Sequence, residues 1–404
     1  MLSLPWNGLF ARVAVLLPFS PPAARFDYNS YSSNTLDALK ALQHWYDGPT
    51  GLWNSTSWWN GANCLTVLAD WATLNESGPS TLRVADILSN TFSKAQLTTA
   101  VTQKTVDPDG FITSGYTCLG SQSPGSQVST RGFPGFINDF YDDEGWWALA
   151  WIRSWDVTQN PAYLATAQDI FDDMHNGTDS VCGGGIWWSK KRDYKNAIPN
   201  ELYLSVAASL ANRVADSQRA DYLALARRSW AWFQQSGMIN DDHLVNDGLV
   251  VGPNGSCVNN GRPTWSYNQG VLLGGLVELA RATGNDSYLD QATDIATAAI
   301  AMLSDRDGVF REATGCEPNC GGDGSQFKGI FVRNLRYLHK AAPRDEFRDA
   351  ILRNAESIWA KNRDEEDRLG IQWVGPASAG LGPNASTHSS ALDVLVAAMA
   401  VVEY

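Results

Sequence analysis

Asp139-Phe-Tyr-Asp-Asp-Glu-Gly-Trp-Trp-Ala-Leu-Ala-Trp-Ile-Arg-Ser-Trp155 has the pattern of a helix start. Asp139 can cap this helix, acidic residues fill its first turn, and aromatic and small apolar residues then recur at helical spacing. Asp142 and Asp143 therefore lie at the mouth of an apolar helix rich in tryptophan. Burial beside indole rings, and the charge of the neighbouring carboxylate, favour the protonated form of one member of the pair. Glycosidases use a proton-donating acid beside an ionised carboxylate for catalysis. The alternative is that acidic residues in a first turn only stabilise the helix through its dipole.

The composition is that of a folded acidic protein, and its charge suits a neutral ligand. The chain has 404 residues, with 30 Lys and Arg against 43 Asp and Glu, and a net charge of −13. A negative surface does not attract nucleic acid or anionic lipid, so we exclude both as partners. The 17 Trp are unusually many, and those in predicted loops would form stacking platforms for sugar rings: Trp53, Trp58, Trp59, Trp187, Trp188, Trp265 and Trp373.

Several features favour secretion. Residues 1–25 have the pattern of an atypical signal peptide or a disordered N-terminus, and residues 26–404 are predicted to form a single catalytic domain. No apolar run is long enough for a transmembrane helix, and the sequence ends on a helical pattern without a GPI signal. Sequons for N-glycosylation begin at Asn54, Asn75, Asn176, Asn254, Asn285 and Asn384.

The cysteines number six, an even count without metal-ligand spacing. Cys316-Glu-Pro-Asn-Cys320 closes a tight loop and is the predicted disulfide. The pairing of the other four cysteines stays open, and free thiols in a cytosolic protein are the alternative.

A repeat of about sixty residues runs through the chain. Its aromatic positions open successive helical patterns after very short turns: Tyr163, Tyr222, Tyr288 and Phe347. Twelve helices in six hairpins predict an all-α fold, an (α/α)6 barrel, with an open solenoid of hairpins as the competitor. The predicted helices are approximately 33–46, 63–76, 80–100, 141–157, 161–175, 197–215, 218–236, 266–283, 286–303, 325–341, 344–362 and 386–403.

The loops of these hairpins are unequal. Turns that leave the even-numbered helices are tight, whereas the connections that enter them are long and rich in Gly and Trp. In alternating hairpins all the long loops emerge on one rim, where the first turns of the even helices also open. Binding and catalysis usually reside on such loops.

The residues that we expect at this rim are polar and aromatic, which suits a neutral polyhydroxylated ligand. We expect Asp142 and Asp143 to be catalytic. The predicted substrate-binding residues are Trp187, Trp188, Asn196, Asn200, Glu201, Tyr267, Asn268, Gln269, Phe327, Lys328 and Arg333. Helix capping or a solvated surface position is the alternative for Asn200, Asn268 and Lys328 individually.

Other kinds of site find little support, and we expect neither a cofactor nor a metal. The five His are scattered, so neither a metal cluster nor a Ser-His-Asp triad is predicted. Asp305-Arg-Asp-Gly308 lacks the downstream ligands of a calcium loop. Gly183-Gly-Gly185 does not open a helix in a βαβ unit, so it is no phosphate loop.

Five motifs of the chain together resemble glycoside hydrolase family 76, and most closely its secreted fungal cell-wall branch. They are Tyr141-Asp-Asp-Glu-Gly-Trp-Trp147, Gly184-Gly-Ile-Trp-Trp188, Lys195-Asn-Ala-Ile-Pro-Asn-Glu-Leu202, Tyr267-Asn-Gln-Gly270 and Phe327-Lys-Gly-Ile-Phe331. The resemblance implies an (α/α)6 barrel that cleaves α-1,6-linked mannose by endo-hydrolysis with retention. It also implies that Asp142 is the nucleophile and Asp143 the general acid/base.

The expectation is therefore a secreted, monomeric mannan endo-1,6-α-mannosidase. One alternative is a cell-wall transglycosidase that acts on the mannose-containing GPI glycan. A non-catalytic mannan-binding wall protein would use the same Trp-lined cleft. A barrel enzyme for uronic-acid sugars would need more cations than Lys328 and Arg333 supply.

Overall fold

The structure, a computed structural model, describes residues 26–75, 82–97, 99–106, 112–118, 132–253 and 255–402, with the backbone alone for 99–106 and 112–118. The signal segment predicted at 1–25, the sequon asparagine at 254 and the side chain of Cys118 lie outside this description. Twelve long helices occur in the described part, and we number them in chain order. They are α1 Tyr28–Leu42, α2 Trp58–Leu74, α3 Val84–Lys94, α4 Tyr141–Thr158, α5 Pro161–His175, α6 Ala197–Ala211, α7 Asp216–Gln235, α8 Ser266–Thr283, α9 Ser287–Leu303, α10 Phe327–Ala341, α11 Asp345–Lys361 and α12 Ala385–Val401.

The even-numbered helices form a closed inner ring. Each of them packs against the next, α2 on α4 and so on to α10 on α12, and α12 returns to pack on α2. The odd-numbered helices lie outside this ring, each against an inner neighbour. The contact of the last inner helix with the first contradicts an open solenoid and confirms the (α/α)6 barrel.

The sequences of the two rings explain their positions. All residues of α6 are buried, as expected for a helix that is apolar around its whole circumference. Helix α9 instead buries one face, with Ile295, Ala299 and Leu303 inside. Small residues allow close approach within the inner ring, because a Cβ on Gly270 of α8 would lie 2.5 Å from the Cα of Phe331 on α10.

The tight turns follow from local chemistry. Between α4 and α5, Gln159 adopts a left-handed conformation with φ of 55° and ends the first helix. Asn160 then caps the second helix, its side chain accepting a hydrogen bond from the Ala162 amide at 3.1 Å. Two residues thus reverse the chain, as predicted from the sequence.

Among the described residues, three antiparallel hairpins lie in the long connections. They pair β1 Tyr46–Asp47 with β2 Leu52–Trp53, β3 Thr99–Val106 with β4 Ile112–Cys118, and β5 Leu249–Val251 with β6 Cys257–Asn259. The β3–β4 hairpin corrects the sequence prediction, which extended the third helix to residue 100 and left a loop from 101. The alternating β-branched residues in this stretch and the Asp-Pro-Asp-Gly sequence at 107–110 are the strand and turn signals that helical periodicity obscured.

The cysteine chemistry is partly as predicted. Cys316 and Cys320 form a disulfide, which confirms that expectation. A second disulfide joins Cys182 to Cys257, 75 residues apart, and Cys64 is a buried free thiol. Within the described residues no helix is long and apolar enough to cross a membrane.

Candidate active site

The first turn of α4 opens onto the rim that carries the long loops, and it holds both predicted catalytic residues. Asp142 is 6% exposed and Asp143 is fully buried. The Asn138 side-chain amide donates a hydrogen bond of 2.7 Å to Oδ2 of Asp143. The Tyr141 amide donates to the Trp188 carbonyl at 3.0 Å, which fixes the helix start against the next rim loop. Two adjacent carboxylates are thus held at the barrel mouth with little access to bulk water.

The third acid of this turn, Glu144, supports the structure around the pair. Its Oε1 accepts from the Asn138 backbone amide at 3.0 Å and lies 3.1 Å from Nζ of Lys190. Burial raises the pKa of Glu144 well above its usual value, although the Lys190 charge opposes that shift. Glu144 therefore anchors the segment that precedes α4.

Four aromatic rings from the inner helices form a floor beneath this site. Tyr267 stacks on Phe327 at 3.8 Å, and Trp59 stacks on Trp146 at 5.6 Å. Trp146 also faces Tyr267 across the barrel at 6.4 Å, so the rings span its bore. On the other side of the floor, Trp146 borders a cavity of about 960 Å³ near the C-terminal ends of the inner helices.

Arg333 borders that rear cavity. Its guanidinium pairs with Asp393 at 2.6 Å and donates to Oδ1 of Asn63 at 2.8 Å. The structure thus places Arg333 below the floor, away from the carboxylate pair with which the sequence grouped it.

A further carboxylate, Asp247, joins the site from the loop before α8. Sequence reasoning missed it, although the Asn246-Asp-Gly248 signal stands in a long rim loop. Asp247 is 1% exposed, and its Oδ1 has no hydrogen-bond partner among the described residues. Burial and the charge of Asp142 raise the pKa of Asp247 to about 6, while a bond from Tyr194 opposes the rise.

Glu201 faces the same space. It is fully buried, and neither carboxylate oxygen has a protein partner in the part of the chain that the structure describes. Burial, and next the charge of Asp247, raise the pKa of Glu201 well above its usual value. The pKa of Tyr267 is also raised, first by burial and then by Asp247, Asp142 and Glu201. The Ala197 amide, at the start of the helix that carries Glu201, donates to the Asp247 carbonyl at 2.8 Å, so Glu201 and Asp247 lie at the same rim.

Three buried asparagines have no partner for either side-chain amide atom within the described ranges. They are Asn60 on α2, Asn196 at the start of α6 and Asn268 on α8. Buried polar groups in proteins are almost always hydrogen-bonded, so such a set at one rim indicates a ligand. Asn196 and Asn268 are among the residues predicted from the sequence, and Asn60 is not.

Two other predicted binding amides hold rim loops instead. Asn200 accepts from the Ile186 amide at 2.8 Å and donates to the Ile186 carbonyl at 3.0 Å. Gln269 repeats this arrangement on Val245, with distances of 2.8 and 2.9 Å. Their amides are therefore committed to the loop backbone, which stabilises the loops that carry the site.

Lys328 and its counterpart Lys195 act in a similar way. Nζ of Lys328 lies 2.5 Å from Glu317, donates to the Ile371 carbonyl at 3.0 Å and sits 4.4 Å from the Trp373 ring centre. Nζ of Lys195 likewise bonds a loop carboxylate at 2.7 Å and two loop carbonyls, at 2.7 and 2.6 Å. These buried cations organise the loops.

The two predicted stacking tryptophans are almost fully buried. Trp187 is 7% exposed, donates from Nε1 to Asp179 at 2.6 Å and lies beneath Lys195 at 4.9 Å. Trp188 is 4% exposed and packs on Phe140 at 5.0 Å. Both rings shape the wall of the rim.

In the motif that resembles a calcium loop, the Asp305 side chain stabilises a turn of its own loop. Its Oδ1 accepts from the amides of Asp307 and Val309, a turn that Asn240 and Asp364 repeat in the neighbouring hairpins. Across the described residues no group of three or more His, Cys, Asp or Glu could hold a metal ion.

A family model and curated relatives match this chain. The family model described as Glycosyl hydrolase family 76 matches residues 126–403. Mannan endo-1,6-alpha-mannosidase DFG5 of Candida albicans is 26% identical over 373 residues, which cover 85% of this chain and 75% of that protein. A putative mannan endo-1,6-alpha-mannosidase of Schizosaccharomyces pombe is 31% identical over 217 residues, covering 50% of this chain and 48% of that relative.

Solved structures share the fold. The GH76A alpha-1,6-mannanase from Salegentibacter sp. HEL1_6 superposes with a TM-score of 0.71 at 22% identity, covering 92% of this chain and 99% of that one. Dfg5 from Chaetomium thermophilum, in complex with glucosamine, gives a TM-score of 0.70 at 20% identity, covering 92% and 90% of the two chains.

Proposed function

The chain belongs to glycosyl hydrolase family 76, and from this premise we propose that it is a retaining, endo-acting enzyme that cleaves α-1,6-mannosidic linkages in mannan. The observation that carries the proposal is the buried Asp142–Asp143 pair in the first turn of α4, above an aromatic floor. Buried polar side-chain atoms that have no protein partner in the described part of the chain lie at the same rim, and they suit the hydroxyls of a neutral sugar. The solved alpha-1,6-mannanase structures with the same fold, and the names of the curated relatives, support the choice of linkage.

The proposed reaction is a double displacement. Asp142 attacks the anomeric carbon while Asp143 donates its proton to the departing glycosidic oxygen, which leaves a mannosyl ester on Asp142. Asp143, now ionised, removes a proton from the incoming water as that water displaces the ester. Two inversions at one carbon give net retention. Asn138 holds Asp143 in place throughout, through its bond to Oδ2.

Sugar binding falls to the groups that have no protein partner. We assign hydroxyl contacts to Oδ1 of Asp247 and to the side-chain amides of Asn196 and Asn268, which are buried and have no partner among the residues described. A sugar seated there would lie against Tyr267 and the rest of the aromatic floor. Glu201 forms the far wall of the subsite. Asn200, Gln269, Lys328 and Arg333, which the sequence also suggested, bind protein groups and are not part of this set.

The protein is proposed to act outside the cell. Two disulfides, Cys182–Cys257 and Cys316–Cys320, are typical of an oxidising compartment. Three sequon asparagines, Asn54, Asn176 and Asn285, are exposed and open to glycan attachment. Peptide mapping of the secreted protein would test both features.

The test separates the roles of the two aspartates. Asp142→Asn and Asp143→Asn should each lower kcat on linear α-1,6-mannan by about 10³-fold, whereas the exposed Asp139→Asn variant should keep full activity. Azide added to Asp143→Ala with an activated aryl substrate should give the α-mannosyl azide, and with Asp142→Ala the β-azide. Normal turnover by either Asn variant would remove that residue from the mechanism.

Product analysis identifies the acceptor of the mannosyl group, which is either water or a sugar hydroxyl. Incubation of the unmutated protein with α-1,6-manno-oligosaccharides should release shorter oligosaccharides, as hydrolysis requires. Longer products would instead identify a sugar hydroxyl as acceptor and a transglycosidase. Tight binding without any product would identify a mannan-binding protein.

A further inference from the structure

Tyr194 contacts the proposed site indirectly, through Asp247. Its hydroxyl donates a hydrogen bond of 2.5 Å to Oδ2 of Asp247 and accepts one of 2.8 Å from the side-chain amide of Asn260. Oδ1 of Asp247 is left without a partner in the described part of the chain. The carboxylate therefore has one oxygen held by protein and one available to a ligand.

The backbone around this hydrogen-bond chain is built to hold it. The Ala197 amide donates to the Asp247 carbonyl at 2.8 Å, and the Leu249 amide donates to the Lys195 carbonyl at 2.9 Å. Between them, Gly248 leaves room for the tyrosine, since a Cβ there would lie 2.6 Å from the Tyr194 hydroxyl. The loop that carries Tyr194 is thereby paired with the loop that carries Asp247.

A covalent link joins the same two loops. Cys182 lies in the loop of Tyr194, and Cys257 lies in the loop of Asp247 and Asn260. The disulfide and the backbone pairing restrict the relative movement of the loops. The distance from the Tyr194 hydroxyl to the Asp247 carboxylate is therefore a fixed feature of the rim.

We propose that Tyr194, held by Asn260, is a positioning residue that fixes Asp247 so that one carboxylate oxygen accepts a sugar hydroxyl beside Asp142. This inference rests on the proposed function, which supplies the sugar. The Tyr194 hydroxyl itself is occupied by Asp247 and Asn260, so it acts on the substrate only through Asp247.

The charged surroundings of Asp247 determine what loss of this bond would do. Burial and Asp142 favour its protonated form, and Tyr194 and Arg262 favour its ionised form. Glu201 on α6 and Tyr267 on α8 are the other titratable groups that interact electrostatically with it. Removal of the tyrosine hydroxyl takes away a donor to the carboxylate, so the pKa of Asp247 should rise above its value of about 6. A protonated Asp247 would no longer accept a hydroxyl bond with full strength.

The test is the pH profile of kcat/KM on α-1,6-manno-oligosaccharides for Tyr194→Phe. We expect kcat/KM to fall about tenfold and the acidic limb to move to higher pH by about one unit, since hydrogen bonds to charged groups are strong. Asn260→Ala should cause a smaller shift in the same direction. Tyr203→Phe, which removes a buried hydroxyl bonded to His175 at 2.6 Å, is the matched control. It should leave the pH of the acidic limb of the kcat/KM profile unchanged.

Two further measurements make the outcome unambiguous. In an Asp247→Asn background, Tyr194→Phe should cause no further loss, because its only route to the substrate has been removed. Carboxyl ¹³C NMR of labelled aspartate, assigned by comparison with Asp247→Asn, should show the Asp247 titration moved upward in Tyr194→Phe whether or not the protein turns over mannan.

An unchanged Asp247 titration and acidic limb in Tyr194→Phe, even with a lowered Tm, would overturn the positioning role. Absence of turnover by the unmutated protein would refute the proposed function alone, and the NMR titration would still decide the role of Tyr194.

Discussion

Replacement of Lys328 by Met distinguishes a structural cation from a sugar-binding one. In the structure Nζ of Lys328 lies 2.5 Å from Glu317 and bonds the Ile371 and Phe310 carbonyls at 3.0 and 3.3 Å. The two charged side chains are only 3% and 4% exposed. Met keeps the aliphatic stem against Trp373 but leaves the Glu317 carboxylate buried without its cation.

The expected loss of stability follows from that burial. Removing one member of a buried ion pair costs about 4 kcal/mol, because the remaining charge stays desolvated. An unfolding entropy of roughly 2 cal/mol/K per residue, summed over the 404 residues, converts this loss to a fall in Tm of about 5 °C. The kcat and KM of the folded fraction should change by less than about twofold, since the Lys328 ammonium is engaged by Glu317 and two loop carbonyls.

The assay is thermal unfolding followed by circular dichroism, with mannan kinetics on the same samples. Glu317→Gln combined with Lys328→Met removes both charges and should recover at least about half of the lost stability. Lys340→Met, an exposed position on the same helix, is the control and should leave Tm unchanged. A single variant with unchanged Tm and a strongly raised KM would refute this reasoning and return Lys328 to the ligand-binding set.

Two further predictions concern stability. Because the folded pKa of Glu201 lies above its unfolded value, the contribution of Glu201 to folding stability is present below about pH 4.5 and is lost as pH rises toward the folded pKa. The Tm of Glu201→Gln should therefore exceed that of the parent protein by an amount that grows from pH 4 to pH 7. An equal Tm difference at both pH values would contradict this. The disulfide Cys182–Cys257 spans 75 residues and Cys316–Cys320 spans 4, so removing the first should cost about 4.5 kcal/mol and the second about 1.9 kcal/mol in denaturant unfolding. A larger loss from the short bridge would show that chain entropy is not the main contribution.

Only part of the site could be predicted from the sequence, because the role of each polar side chain depends on contacts with loops that are distant in the chain. Asn196 and Asn268 were selected because they stand at helix starts on the predicted rim, and the structure leaves their amides unpartnered among the described residues. Asn200 and Gln269 have the same local pattern, yet their amides bind loop backbone. One sequence pattern therefore describes both roles, and only the position of the preceding loop separates them.

The sequence by itself determined the twelve helices apart from the end of the third, their alternation of tight turns and long loops, and the place of Asp142 and Asp143 on one rim. These features depend on periodicity, capping and turn residues, which act over a few residues and can be read locally. Only the tertiary structure decided that Tyr194 bonds Asp247, that Cys182 pairs with Cys257, and which polar side chains are left for a ligand. Those outcomes depend on how separate loops meet at the mouth of the closed ring, because burial and hydrogen-bond partners are properties of the packed molecule.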